Sequence, residues 1–175
     1  MREGEAWRHL RELLDAAEDH GDLVWAINAH AVVSGSTKGL SSLGEDVLRH
    51  LLEPELRERL RGPGSGIAES EEAYALTRNT PLSELFEALG LDARLRHHRR
   101  PLTAPEKADV VRSIAGEIER SISVARTTAK SAPWRRALQR ELASALLWLW
   151  EEQMREAGVA QSGNTHGSGR LRRTE

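Results

Sequence analysis

The chain of 175 residues contains no cysteine, one phenylalanine and one tyrosine. Without thiols it can form no disulfide, zinc–thiolate site or iron–sulfur cluster, and it has no cysteine nucleophile. Aromatic residues are enriched in strands, so their scarcity argues against a β-sheet. Leu, Ala, Glu and Arg are frequent instead, and these are good helix formers. The composition therefore favours an all-helical protein.

Long apolar runs are also missing. The first residues contain no apolar segment of the kind that a secretory signal needs. The longest apolar stretches, LVWAINAHAVV (23–33) and LASALLWLW (142–150), are too short to cross a bilayer. Together with the missing cysteines, these absences lead us to expect a cytoplasmic protein that does not bind membranes.

Helix signals recur along the whole chain. Apolar residues follow the helical spacing in most segments, and residues 22–33 read as a helix that is apolar nearly all round. Thr103 and Glu106 form a capping box for a long helix. The arginine-rich stretch before them reads as a short helix that Asp92 caps and Pro101 closes. The pattern predicts an all-α fold, an irregular antiparallel bundle of seven to nine helices without a strand.

The organisation predicted for the chain is simple. We expect a single helical-bundle domain over residues 1–158, which is a length that one hydrophobic core can support. Residues 159–175 are expected to be a disordered tail, because most of that segment is polar and rich in glycine.

Charge is divided unevenly along the chain. Residues 1–77 carry 8 Lys and Arg against 15 Asp and Glu, a net of −7, whereas residues 78–140 carry 13 against 7, a net of +6. Such a chain can offer a basic face to nucleic acid or to an acidic partner while its total charge stays near zero.

The densest basic stretch is RLRHHRR (94–100). Basic side chains bind phosphates without reading bases, so this stretch predicts sequence-independent contact with a nucleic-acid backbone. The candidate contact residues are Arg94, Arg96, Arg99 and Arg100. A charged helix end in water is the simpler interpretation, since cations also favour a helix C-terminus.

The segment LSELFEALGL (82–91) before this stretch suggests a helix-turn-helix, an alternative that makes the arginine-rich helix a DNA reader. When Gly90 is aligned with the turn glycine, Phe86 falls where a small residue is needed. Arg96 and Arg99 fall where the second helix needs apolar residues. A regulator of this kind is therefore kept as an alternative only.

Metal-binding chemistry has a weaker signal. Glu5 with His9 and Asp46 with His50 are acid–histidine pairs four residues apart, and His30 lies between them in sequence. Helical di-iron proteins use Glu-x-x-His, which is absent here. No serine has the surroundings of a nucleophile, so we predict no enzyme, catalytic residue, metal or cofactor, with a metal-dependent helical enzyme as the second alternative.

Two tryptophans lie close together in the last helical segment. Trp148 and Trp150 cannot share one narrow core stripe, since residues two apart face different sides of a helix. Tryptophan is enriched at the energetic centres of protein interfaces. We therefore predict that Trp148 and Trp150 contact a partner protein or a second copy of the chain.

Two segments, GLSSLGEDVL (39–48) and ELASALLWLW (141–150), resemble parts of the small helical subunits of type III CRISPR effector complexes. They cover about 20 of the 175 residues, and the tyrosine–threonine run before that family's final helix is not matched. The resemblance implies a non-catalytic assembly subunit beside RNA.

The residues and the resemblance favour the same class of protein. We expect a non-enzymatic helical interaction or assembly subunit that works by protein–protein contact, such as a small subunit of a ribonucleoprotein complex. Nucleic acid is a further candidate partner, bound through the basic face.

Overall fold

The structure is a computed structural model that describes residues 3–60, 65–97, 99–128 and 133–164. Over these ranges the chain forms seven α-helices, one short 3-10 helix and no strand. In chain order the helices are α1 (Glu3–Asp19), α2 (Ala29–Val33), α3 (Lys38–Arg59), α4 (Ser65–Leu76), α5 (Asn79–Leu89), the 3-10 helix (Leu91–Arg94), α6 (Ala104–Thr128) and α7 (Pro133–Asn164). The predicted all-α bundle is confirmed, with a number of α-helices at the lower end of the predicted range.

Helix α6 lies at the centre of the bundle. All nine residues from 110 to 118 are buried, including polar ones, as expected for a helix that is surrounded by others. Helices α2, α3, α5 and α7 all pack against it, and α1 and α4 complete the bundle through their contacts with α7 and α3. The central helix of the bundle is therefore α6.

The most extensive helix contact joins α3 and α6, which run antiparallel and touch through their backbones. A Cβ atom added at Gly44 would lie 1.7 Å from the carbonyl oxygen of Arg112. One added at Gly116 would lie 2.0 Å from the carbonyl oxygen of Leu40. Because no side chain fits at either position, the two glycines set the separation of these helices.

The predicted helix over residues 22–33 is wrong for its first part, because only Ala29–Val33 is helical. The carboxylate of Glu117 on α6 accepts hydrogen bonds from the backbone N–H groups of Val24, Trp25 and Ala26 at 2.9–3.1 Å. In a helix that began at Asp22, the N–H of Ala26 would bond to the carbonyl of Asp22, whereas here it binds a side chain on another helix. The apolar pattern came from an irregular loop that buries Leu23, Ala26 and Ile27.

The predicted arginine-rich helix is also wrong. The chain forms only the four-residue 3-10 helix after α5 and then becomes extended. Arg96 pairs through its backbone with the segment before α2, in a single parallel bridge to Asn28. Its N–H donates to the carbonyl of Ile27 at 2.8 Å, and its carbonyl accepts from Ala29 at 3.0 Å. These long-range bonds satisfy the backbone of Arg96 in place of helical ones.

The start of α6 agrees with the capping signal in the sequence. Thr103 directly precedes α6, and its N–H donates to Oε2 of Glu106 at 2.8 Å, so the predicted interaction of the Glu106 side chain with this N-terminus is confirmed. Helix α7 continues to Asn164, past the predicted end of the domain at residue 158. The rest of the predicted tail lies outside the described residues.

Candidate phosphate-binding surface

The four candidate arginines divide into two pairs, and Arg94 belongs to the pair with protein partners. Its Nη1 lies 2.7 Å from Oδ1 of Asp15 and 2.6 Å from Oε1 of Glu18, both on α1. The Arg94 side chain is only 18% exposed. Arg94 therefore ties the 3-10 helix to α1, and its charge is compensated inside the protein.

Arg100 is also committed to a protein partner. Its Nη1 and Nη2 donate to the two carboxylate oxygens of Glu106 at 2.9 and 2.5 Å, in the bidentate geometry that makes such pairs strong. The hydrogen bonds from Arg100, and next the backbone N–H of Thr103, lower the pKa of Glu106 to about 2. The arginine thus holds the carboxylate that caps α6.

Arg96 and Arg99 form the second pair. Both residues are exposed, and neither side chain makes a hydrogen bond or an ion pair with another described residue. Arg96 is fixed through its backbone by the bridge to Asn28. These two arginines can therefore bind an external anion without breaking a contact within the described part of the protein.

Arg99 borders an open cleft between the extended segment and α2. This histidine–arginine cleft, of about 520 Å³, is lined by Asn28, His30, His97 and Arg99. None of its described lining residues is a carboxylate, which makes it suited to an anion. His97 has a positive φ of 58°, a conformation that non-glycine residues adopt seldom and that is enriched at ligand sites. Its neighbour His98 lies outside the described residues.

Four of the remaining basic residues between 78 and 140 bind carboxylates within the fold, namely Lys107, Arg112, Arg135 and Arg136. Arg112 is 8% exposed and its Nη2 donates to the carbonyl of Thr77 at 2.8 Å, while Nη1 binds Asp109 at 2.9 Å. Arg135 binds Asp22, 113 positions earlier, at 2.7 Å. Several of the acidic and basic stretches of the sequence therefore neutralise each other on folding. The free basic surface is smaller than the net charge of +6 predicted.

The helix-turn-helix alternative lacks its second helix. Helix α5 ends at Leu89, and Gly90 takes the left-handed conformation that commonly terminates helices. The chain then makes the 3-10 helix Leu91–Arg94 and becomes extended, so no recognition helix is present where that alternative needs one.

Trp148 and Trp150 are both partly buried and pack against the core. The Trp148 ring meets the ring of Trp7 on α1 edge to face, with centroids 5.5 Å apart. The more accessible tryptophan is Trp25, which is 46% exposed and borders a separate cavity of about 540 Å³ with Arg120. Sequence reasoning missed it because residues 23–33 read as buried.

The structure does not bring the predicted acid–histidine pairs and His30 together among the described side chains. Among the described side chains, no three His, Asp or Glu residues come together in a way that could hold a metal ion. His30 lies in the histidine–arginine cleft, whereas His9 is 3.8 Å from Glu12 on the surface of α1. No helix in the described part of the chain is long and apolar enough to cross a membrane.

Comparisons with protein-family models, curated proteins and solved structures found no match to this chain. The two segments that resemble type III CRISPR small subunits lie within α3 and α7, and no family match extends that resemblance. The chemistry of the surface itself is therefore the basis for a functional proposal.

Proposed function

We propose that the chain is a non-catalytic binding subunit that contacts nucleic-acid backbone, independently of base sequence, through Arg96 and Arg99. One observation carries this proposal: the side chains of Arg96 and Arg99 are exposed and have no partner among the described residues, and Arg99 lines a cleft that has no carboxylate among its described lining residues. Arg94 and Arg100, next to them in sequence, are held in ion pairs and serve the fold.

The geometry of the segment suits phosphate contact better than base reading. Arginine binds phosphate oxygens through a planar fork of donors, and such contacts position a protein without specifying sequence. The segment has no helix that would enter a major groove, and its backbone is pinned by the bridge between Arg96 and Asn28. We therefore expect binding that depends strongly on salt and weakly on sequence.

Protein–protein contact remains part of the proposal. An assembly subunit needs a partner surface, and Trp148 and Trp150 on α7 stay the predicted residues for it. Their partial burial leaves an accessible part of each residue for such a contact.

The experiment compares two double charge reversals. Arg96→Glu with Arg99→Glu removes the proposed contacts. Arg8→Glu with Arg140→Glu makes the same change in charge at two exposed arginines, without partners among the described residues, that line neither side of the cleft. Binding of a labelled oligonucleotide is measured by fluorescence anisotropy between about 50 and 200 mM salt, the range in which phosphate contacts lose most affinity.

The first double variant should flatten the dependence of log K on log salt by about 2, roughly one per lost phosphate contact, and the control should change it little. Thermal unfolding verifies that both variants fold. Equal losses in the two variants would show that only net charge matters. The proposal is also wrong if the unmodified protein binds no oligonucleotide at the lower salt concentration.

A further inference from the structure

The histidine–arginine cleft continues into an apolar shelf. A second cavity of about 350 Å³ shares His30, His97 and Arg99 with the cleft and extends over Val33 and Leu102. Val33 is 46% exposed, although it ends a helix whose other apolar residues are buried. The two cavities therefore adjoin each other at these three residues and form a polar half and a more apolar half of one candidate site.

The polar half offers several donors to an anion. The guanidinium of Arg99 is free of described partners. The Oδ1 atom of Asn28 accepts from the N–H of Ala31 at 3.2 Å, which leaves the amide NH₂ group of Asn28 to donate. The imidazoles of His30 and His97 add further donors and flat faces at the boundary between the halves.

We propose that this site binds one nucleotide unit with an unpaired base, the phosphate at Arg99 and Asn28 and the base on the Val33–Leu102 shelf beside His30. A phosphate alone would use only the polar half, whereas a nucleobase is flat, largely apolar on its faces and stacks on aromatic side chains, histidine included. This inference rests on the proposed function and adds to it the class of ligand.

A base in a duplex does not fit the proposed site. In a duplex each base is stacked between neighbours and paired at its edge, so its faces cannot reach the shelf without unstacking, which is unfavourable. An unpaired nucleotide comes either from a single strand or from the free pool. Both sources share the phosphate and the exposed base, and the experiment separates them.

The test measures affinity for three labelled probes of equal phosphate number: a single-stranded oligonucleotide, a strand of abasic residues, and a duplex. The base-bearing single strand should bind roughly tenfold more tightly than the abasic strand, because stacking of one base contributes about that factor. Val33→Ser should weaken the single strand about threefold and leave the abasic strand unchanged, since it removes only apolar contact. Val124→Ser is the control, because Val124 is also exposed, at 59%, and lines neither cavity.

Competition identifies the source of the nucleotide. Displacement of the labelled strand by a free nucleoside monophosphate, but not by inorganic phosphate, shows that a free nucleotide suffices. If only strands compete, the site takes its nucleotide from a single strand, and either outcome supports the inference.

Equal binding of the abasic and base-bearing strands would overturn the inference. The proposed function would survive that result if Arg96→Glu with Arg99→Glu still weakened both strands. Displacement by inorganic phosphate as effective as by the nucleotide would likewise show that the shelf takes no base. Absence of binding to every probe would refute both proposals.

Discussion

Replacing Gly44 by alanine tests the most extensive helix contact that the structure describes, the crossing of α3 and α6. The added Cβ would lie 1.7 Å from the carbonyl oxygen of Arg112 and 2.8 Å from the backbone nitrogen of Gly116. Ordinary contact begins near 3.4 Å, so the two helices would have to move apart at this point. Both obstacles are backbone atoms of the central helix, which cannot rotate away as a side chain can.

The expected loss follows from two opposing terms. Overpacking of a close-packed interior destabilises by about 1–3 kcal/mol, occasionally by more, and alanine favours the helix over glycine by up to about 1 kcal/mol. Since a backbone clash lies at the upper end of the first range, Gly44→Ala should lower the free energy of unfolding by about 2–3 kcal/mol. For a chain of this length the melting temperature should fall by roughly 4–12 °C.

Gly39→Ala provides the matched control in the same helix. A Cβ added at Gly39 meets no atom within 4 Å, so that variant should be as stable as the unmodified protein or up to about 1 kcal/mol more stable. Urea unfolding followed by far-UV circular dichroism measures both changes. If Gly44→Ala lies within about 0.5 kcal/mol of the unmodified protein, α3 and α6 are not in backbone contact and the description of the core is wrong.

Three further changes test the contacts that shape the candidate surface. Glu117→Gln should lower the free energy of unfolding by about 1–3 kcal/mol, because it weakens a buried acceptor of three backbone N–H groups. Hydrogen exchange at residues 24–26 should accelerate, and unchanged exchange there would contradict the contact. Arg94→Glu should lower the melting temperature, since it places a negative charge against the acidic residues of α1. It should leave the salt dependence of nucleic-acid binding unaltered, and a flatter dependence of log K on log salt would make Arg94 a phosphate contact. The pKa of Glu106 is lowered to about 2, so its interactions stabilise the fold above the ordinary carboxyl pKa and are lost as pH falls through about 2. The stability difference between the unmodified protein and Glu106→Gln should therefore shrink between about pH 4.5 and pH 2, and a constant difference would contradict this.

The sequence predicted the all-α fold class and most of the long helices because the signals for them are local. The apolar spacing of α5 and α6 and the Glu106 side chain that reaches back to Thr103 all lie within a few residues of each other. The loop before α2 was missed because its backbone partner, Glu117, lies more than 90 residues away. One signal pointed to it: Glu117 sits between apolar positions of α6, and a buried carboxylate needs donors.

The sequence showed that four arginines lie in one stretch, but it did not show which of them have partners within the fold. Counting charges placed four arginines in one stretch, and spacing alone cannot tell which of them have partners. Arg94 is neutralised by Asp15 and Glu18, more than 70 residues earlier, and Arg100 by Glu106. The cleft beside Arg99 is lined by Asn28, whose pairing with Arg96 is a contact that no local pattern predicts.

The long-range bonds of the loop between α1 and α2 have a consequence for the order of events during synthesis. Asp22 binds Arg135, which follows it by 113 residues. At a translation rate of about 5–20 residues per second, roughly 6–23 seconds separate the synthesis of these two residues. The N–H groups of residues 24–26 likewise cannot form their hydrogen bonds until Glu117 has been synthesised. The segment that later supports the cleft therefore stays open on the nascent chain until α6 and the start of α7 have emerged from the ribosome.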